Sequence, residues 1–195
     1  MAYAEPHRSD TRQTSPAETG VWVFVFADMF IFALYFMVFL YDKSLHASEF
    51  AQGQATLARH LGGFNTLVLL LSSLFMANAV RAIRLHDIAA CQRFLRLTIL
   101  CALVFICVKT FEYSEKITAG FHIATNVFYR DYFAFTGFHL IHVIIGLSLL
   151  SWLLVAVKQA EPDPDNIRTT EGIGLYWHMV DLLWIVLFTL IYLVP

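Results

Sequence analysis

The chain has 195 residues, of which 58% are hydrophobic, 15% aromatic and only 14% charged, and its net charge is −2. Soluble domains are usually about 45–50% apolar and about 25% charged. A soluble domain of this length cannot hide so much apolar surface, and a disordered chain would be polar and rich in charge. The composition therefore excludes disorder, nearly excludes a water-soluble protein and gives no electrostatic reason to expect a nucleic-acid partner.

Five long apolar stretches predict five transmembrane helices. About 20 apolar residues, rising 1.5 Å each, cross a hydrocarbon layer of about 30 Å. The third stretch reaches that length only if Lys109 and Glu112 face protein rather than lipid. We predict an all-α membrane protein in which a polar tail, residues 1–19, precedes one bundle, residues 20–195. Its helices cover about residues 20–41, 63–83, 97–114, 132–157 and 174–194.

The basic residues predict how the bundle is oriented. Four lie on the side opposite the N-terminus, namely Lys43, Arg59, Lys116 and Arg130. Eight lie on the N-terminal side, namely Arg8, Arg12, Arg81, Arg84, Arg93, Arg96, Lys158 and Arg168. The positive-inside rule then places the N-terminus in the cytoplasm and the C-terminus outside. In the outer loop, residues 42–62, the apolar residues Phe50, Leu57 and Leu61 predict a weak amphipathic helix on the membrane surface.

Asp28 lies about 12 Å along the first helix, where a lone charge costs several kcal/mol. Its neighbours on the same helix are apolar or aromatic and cannot neutralise it. It must therefore be protonated or meet a partner on another helix or another chain. Two interpretations stay open: a carboxylate that handles protons, and a structural hydrogen bond between helices.

A second group of charges lies at the end of the third helix. Lys109 and Glu112 are three residues apart, and Glu112 and Lys116 are four apart, so all three share a face. This spacing favours a neutralised pair near the outer interface, and an ion-conducting pair is the alternative.

Histidines and a carboxylate on the last two helices raise the question of a metal. His139 and His142 are three residues apart, as are His178 and Asp181. With Asp28 and Glu112 they resemble the ingredients of a di-iron site, but that pattern needs Glu-x-x-His twice. No glutamate here has a histidine three residues after it. We therefore expect no metal, and histidines that hydrogen-bond between helices.

Small and polar residues on the second and fourth helices indicate close helix packing or a lipid cleft. Asn65 is also expected to cap the start of the second helix. The candidates are Asn65, Ser72, Ser73, Gly137 and Gly146.

Several of these segments resemble the haem-copper oxidase subunit III family. The most specific are Tyr132–Gly146, YFAFTGFHLIHVIIG, and Tyr176–Tyr192, YWHMVDLLWIVLFTLIY. Weaker matches add Gly20, Trp22 and Asp28, the pairs Asn65-Thr66 and Ser72-Ser73, and the segment from Phe105 to Glu112-Tyr113. The resemblance covers about 175 residues, everything except the tail.

The chain also departs from the family pattern. The mitochondrial type has seven helices. This chain has five, as the short bacterial members do. Asp28 stands where many members carry Glu, and Lys109 where a neutral Gln is more usual. The length, the opening GVWVFVFADMFIFALYF and the ending YWHMVDLLWIVLF are most similar to the accessory proteins of nitric oxide reductase, the NorE type.

The resemblance implies a supporting subunit in the bacterial inner membrane with no haem or copper of its own. It implies a catalytic partner, either a haem-copper oxidase or a nitric oxide reductase, and phospholipid held in a cleft. It also implies a role in proton uptake and in preventing inactivation during turnover. The rival hypothesis from the polar residues alone is a self-sufficient protein, either a di-iron membrane oxidase or a small proton-coupled transporter.

Overall fold

The computed structural model describes residues 16–159 and 164–194, and within these ranges the chain is helical and has no strand. Most of the predicted tail, residues 1–19, lies outside them. Six α-helices are followed by a π-helical segment at Thr189–Leu193. In chain order they are α1 Pro16–Leu45, α2 Ala47–Ala55, α3 Arg59–Arg84, α4 Ile88–Thr118, α5 Val127–Gln159 and α6 Pro164–Phe188.

Within the described residues, five helices are long and apolar enough to cross a membrane, which confirms the predicted number of such helices. They are α1, α3, α4, α5, and α6 with its π-helical extension. Each is longer than its apolar stretch, because regular hydrogen bonding continues into the polar flanks. The orientation across the membrane stays a prediction, and three of its basic residues, Arg8, Arg12 and Lys158, are not among the side chains that the structure describes.

A tight turn joins α3 to α4 and makes them an antiparallel pair that packs along its length. His86 adopts a positive φ of 61° in this turn. The carboxylate of Asp87 then accepts a hydrogen bond from the Ala90 backbone N–H at 2.9 Å. This contact satisfies one of the unpaired donors at the start of α4.

Helix α6 lies at the centre of the bundle and α1 at its edge. Trp177 and Trp184, seven residues apart on α6, are both fully buried, and α6 packs against α3, α5 and α1. On α1 the buried side chains form one narrow stripe of Val25, Asp28, Phe32 and Phe39. The rest of α1 exposes large apolar side chains, which suits a lipid or protein neighbour rather than water.

The predicted amphipathic helix exists as α2, but it does not lie free on the outer surface. Phe50 is fully buried, with its ring 5.2 Å from that of Phe39 and 5.5 Å from that of Phe128. Leu57 is buried beyond the end of α2, and Leu61 belongs to α3. The aromatic partners on α1 and α5 draw this short helix into the bundle.

Two side chains hold the C-terminal end of the described chain. The Gln54 amide on α2 donates to the carbonyl oxygens of Ile191 and Val194, at 3.0 and 2.8 Å. The Lys43 ammonium on α1 also donates to the Val194 carbonyl, at 2.8 Å. The last carbonyls of a helix have no partner within it, so these bonds satisfy acceptors that the π-helical segment leaves open.

Candidate functional site

The most enclosed charges of the described chain are Lys109 and Glu112 on α4. The Lys109 ammonium lies 2.9 Å from Glu112 Oε2, and each side chain is only 1% exposed. Burying either charge alone would cost several kcal/mol, so each requires the other. The pair that the spacing predicted is present, and α4 passes through it without interruption.

Two tyrosines complete the hydrogen bonding of this pair. Lys109 Nζ donates to the hydroxyl oxygens of Tyr132 on α5 and Tyr192 in the π-helical segment, at 3.3 and 3.2 Å. The Tyr192 hydroxyl in turn donates to Glu112 Oε1 at 2.5 Å. The ion pair therefore ties α4 to α5 and to the C-terminal segment.

Aromatic rings surround the ammonium of Lys109. Four ring centroids lie within 6 Å of Nζ, at distances at which the ring faces attract a cation. They belong to Tyr113 at 5.2 Å, Tyr132 at 5.1 Å, Trp184 at 5.3 Å and Tyr192 at 5.8 Å. The sequence alone did not indicate this group of four rings around Lys109, because its members come from three separate segments.

Lys116 does not join the pair, although it shares a face of α4 with Glu112. Its ammonium donates instead to the backbone carbonyl of Thr56, just after α2. The two buried lysines thus serve different contacts, one inside the bundle and one to the outer loop.

Asp28 meets a partner on another helix. Its Oδ1 lies 3.2 Å from His142 Nε2 on α5, and both side chains are 9% exposed. His142 Nδ1 is 2.9 Å from the Phe138 carbonyl, which only accepts, so Nδ1 carries a hydrogen. A bond between Nε2 and Asp28 then needs one more proton, on the carboxyl or on the ring. The pair therefore holds a single shared proton and is neutral overall.

His139 has a different environment from His142. It is fully buried, and neither ring nitrogen makes a hydrogen bond within the described residues. Its ring packs against Trp184 at 5.2 Å and Phe105 at 5.8 Å between centroids. His139 thus faces α4 and α6, whereas His142 faces α1.

His178 and Asp181 on α6 also have different surroundings. The Ser73 hydroxyl on α3 is hydrogen-bonded to His178 Nδ1 at 2.7 Å. Asp181 is 3% exposed, and neither carboxylate oxygen accepts a hydrogen bond of normal length within the described chain.

The acids and histidines that a di-iron site would need do not converge. Across residues 16–159 and 164–194, no three His, Cys, Asp or Glu side chains are grouped so that they could hold a metal ion. Asp28 pairs with His142, Glu112 with Lys109, and His178 with Ser73. The described donor set therefore does not fit a di-iron centre.

The small and polar candidates lie inside the helix contacts. The Ser72 hydroxyl accepts from Trp177 Nε1 at 3.0 Å, and Thr66 accepts from Trp184 Nε1 at 3.1 Å. Asn65 is fully buried without a side-chain hydrogen bond in the described residues. The expectation that Asn65 caps its helix is wrong, because α3 begins six residues earlier at Arg59.

The two glycines of α5 differ in their surroundings. A methyl group on Gly146 would lie 2.7 Å from the Trp177 ring, so α5 and α6 touch there without room for a side chain. A methyl group on Gly137 would have the Tyr113 hydroxyl as its nearest neighbour, at 3.9 Å. Of these two glycines, Gly146 is the one that close packing requires.

Comparison with known proteins identifies the family of this chain. A family model described as Cytochrome c oxidase subunit III matches residues 9–194. Cytochrome c oxidase subunit 3 of Synechocystis is 34% identical over 179 residues, which cover 89% of this chain and 74% of the relative. The protein of the same description from Thermostichus vulcanus is 30% identical, over 89% of this chain and 85% of the relative.

A relative of a different description matches over the same share of the chain. The Cytochrome bo(3) ubiquinol oxidase subunit 3 of Buchnera aphidicola is 28% identical, over 89% of this chain and 84% of the relative. Together with five helices able to span a membrane, these matches make the chain a multi-pass bacterial membrane protein. With its family model matched from residue 9 to residue 194, the chain belongs to the cytochrome c oxidase subunit III family.

Proposed function

We propose that this chain is a non-catalytic subunit or accessory protein of a respiratory haem-copper complex in the bacterial inner membrane. It packs against the catalytic subunit and has no redox cofactor of its own. The observation that carries the proposal is the pairing of the interior charges. Asp28 is paired with His142 and Glu112 with Lys109, and no three of the described acids, cysteines and histidines are grouped so that they could hold a metal ion.

The chain supports the assembly, stability and proton supply of its partner. The Asp28–His142 pair supports the role in proton supply, because either group can hold the shared proton while the pair stays neutral overall. The Lys109–Glu112 pair supports the roles in assembly and stability, because it ties three segments of the bundle together.

The catalytic partner is either a haem-copper oxidase or a nitric oxide reductase, and we take the nitric oxide reductase as the first choice to test. The support for this choice is the resemblance of the stretches GVWVFVFADMFIFALYF and YWHMVDLLWIVLF to the NorE type. Removal of the chain from a denitrifying host should then shorten the period over which membranes consume nitric oxide, and leave oxygen consumption unchanged. The reverse result would assign the chain to an oxidase.

Phospholipid held by the subunit belongs to the same proposal. Asn65 and Ser72 are fully buried between helices, so they support packing rather than a lipid cleft. The exposed side of α1, rich in large apolar side chains, is the better surface for acyl chains.

The experiment that tests the proton role uses the intact complex. Asp28→Asn removes the shared proton of the pair, and Glu112→Gln removes the buried carboxylate. We expect initial activity to persist for Asp28→Asn and then to decay faster than normal during prolonged turnover. Glu112→Gln should reduce the amount of this chain retained in the complex.

Glu115→Gln is the matched control, because Glu115 is exposed on the same helix one turn away. It should change neither activity nor retention. If Asp28→Asn and Glu112→Gln behave like this control, the two acids are packing features without a role in proton supply or assembly. Substrate flux through the purified chain in liposomes, lost in Asp28→Asn, would support the transporter instead.

A further inference from the structure

Three buried side chains have no hydrogen bond at any of their polar atoms within the part of the chain that the structure describes. They are Asn65 on α3, His139 on α5 and Asp181 on α6, and each is at most 3% exposed. A buried polar group without a partner lowers the stability of a fold, and a charged one lowers it more. Three such groups in one bundle indicate a hydrogen-bonding ligand that is not part of the chain.

Asp181 lies between two tryptophans that attach α6 to α3. Trp177, Asp181 and Trp184 follow the i, i+4, i+7 spacing of one helix face. Both tryptophans donate to hydroxyl groups of α3, one to Ser72 and the other to Thr66. Asp181 therefore belongs to the face of α6 that packs on α3, at a level between those two hydroxyls.

Asn65 and His139 lie at the level of Trp184, about one helical turn beyond Asp181. Asn65 directly precedes Thr66, which accepts from the Trp184 ring. The ring of His139 is 5.2 Å from that of Trp184. Trp184 is three residues after Asp181, so the two layers are about 4.5 Å apart along the helix axis. That separation is too long for a direct hydrogen bond but suits one bridging water, with two bonds of about 2.8 Å.

Small side chains border Asp181 on the α4 side. A hydrogen bond from α3 to the Thr98 carbonyl sets the register of the antiparallel pair. Cys101 and Ala102, one turn further along α4, then lie at the level of Asp181, and both are buried. Phe105 fills the next layer with an aromatic ring. The interior at Asp181 is thus polar and bordered by small side chains, as a site for buried water must be.

The surroundings of Asp181 favour a carboxyl group that carries its proton. No donor of the described chain reaches either oxygen in normal hydrogen-bond geometry, and His178, three residues earlier on α6, is bonded to Ser73 instead. An ionised carboxylate without a partner is costly inside a membrane bundle. The protonated group can donate one hydrogen bond and also accept. Asn65 adds two donors and an acceptor, and a neutral His139 adds one donor and one acceptor.

We propose that Asp181, Asn65 and His139 bind internal water and form a second proton-holding site in the bundle, separate from the Asp28–His142 pair. The bound water accepts the proton of Asp181 and gives one of its own to His139. The resulting carboxylate and imidazolium are neutral as a pair. Water fits this place better than a metal ion, because among the described residues no three acids, cysteines or histidines are grouped around one point.

The test is infrared spectroscopy of the purified full chain in detergent, taken as difference spectra between the unmodified chain and each variant. Asp181→Asn should remove a carboxylic-acid C=O band. Asn65→Leu and His139→Phe should each remove O–H stretching bands of internal water. In the unmodified chain these O–H bands should shift when the solvent is exchanged for heavy-oxygen water.

Thr98→Val is the matched control, because Thr98 is fully buried but its hydroxyl already donates to the Phe94 carbonyl at 2.9 Å. It should leave every band unchanged. His139→Gln keeps a donor and an acceptor and should retain the water bands. Thermal unfolding shows whether each variant has folded, and Asp181→Asn, which keeps the side-chain shape, tests the carboxyl group even if the larger changes unfold the bundle.

Two results would overturn the proposal. One is a carboxylic-acid band that Asp181→Asn does not alter, which would show an ionised Asp181. The other is survival of the water bands in both Asn65→Leu and His139→Phe.

The use of this site rests on the proposed role in proton supply, but the bands belong to the isolated chain. If Asp28→Asn leaves the endurance of the complex unchanged, the proposed role fails while the bands remain. If the bands are missing, the site alone fails.

Discussion

Every group that a charged Lys109 needs inside the bundle comes from the same chain. Glu112 supplies the counter-charge, Tyr132 and Tyr192 supply hydrogen-bond acceptors, and four rings face the ammonium. In a low-dielectric interior the removal of one partner costs more than the removal of both, because one buried charge is then left alone. This asymmetry can be measured.

We predict that Lys109→Met lowers the free energy of unfolding by about 3 kcal/mol or more, because Glu112 stays buried without its cation. The double variant Lys109→Met/Glu112→Leu should recover part of that loss. Equilibrium unfolding in detergent and SDS mixtures measures both as a double-mutant cycle. If the effects of the Lys109 and Glu112 substitutions on the free energy of unfolding simply add, the two residues are not coupled.

The sequence predicts such pairs only within one helix. Lys109 and Glu112 are three residues apart, so the geometry of a helix brings them together before any tertiary structure is known. Asp28 and His142 are 114 residues apart, and only the packing of α1 on α5 makes them neighbours. The same reason kept Tyr192 from being recognised as a partner of Glu112.

The contact between α5 and α6 depends on the absence of a side chain at Gly146. The buried Trp177 ring fills the space next to it and is held there by Ser72. A ring fixed in this way cannot move aside cheaply when a methyl group is added.

Gly146→Ala should therefore lower the stability of the bundle by about 1–3 kcal/mol. Gly137→Ala, on the same helix but with 3.9 Å to its nearest neighbour, should be neutral or slightly stabilising. Thermal unfolding of the two variants side by side measures the difference. A Gly137 variant as damaged as the Gly146 variant would show that glycine itself, rather than the Trp177 contact, matters.

Gln54 connects α2 to the end of the described chain. Gln54→Ala removes the hydrogen bonds to the carbonyls of Ile191, in the π-helical segment, and of Val194, just after it, so amide hydrogen exchange over residues 189–194 should become faster. Gln52→Ala, an exposed position on the same short helix, should leave exchange unchanged. Equal exchange in both variants would show that Tyr192 and Lys43 hold the segment without Gln54.

The whole molecule is a bundle with α6 enclosed at its centre and α1 open at its edge. Its five long helices could be predicted because the length of an apolar stretch is set by membrane thickness. The position of α2 could not be predicted, since Phe50 packs against rings on α1 and α5 that no local pattern reveals. The family could be predicted because its most specific residues are contiguous, in Tyr132–Gly146 and Tyr176–Tyr192.

For the whole molecule, we propose that the chain works by packing against a haem-bearing neighbour and carries no redox centre itself. The most direct measurement is purification from native membranes in a mild detergent, followed by an optical spectrum, metal analysis and identification of the bound proteins. We predict a stoichiometric haem-containing catalytic subunit, and after its removal a colourless chain without iron or copper. An isolated chain that retains tightly bound iron or copper and reduces oxygen or nitric oxide alone would contradict the claim.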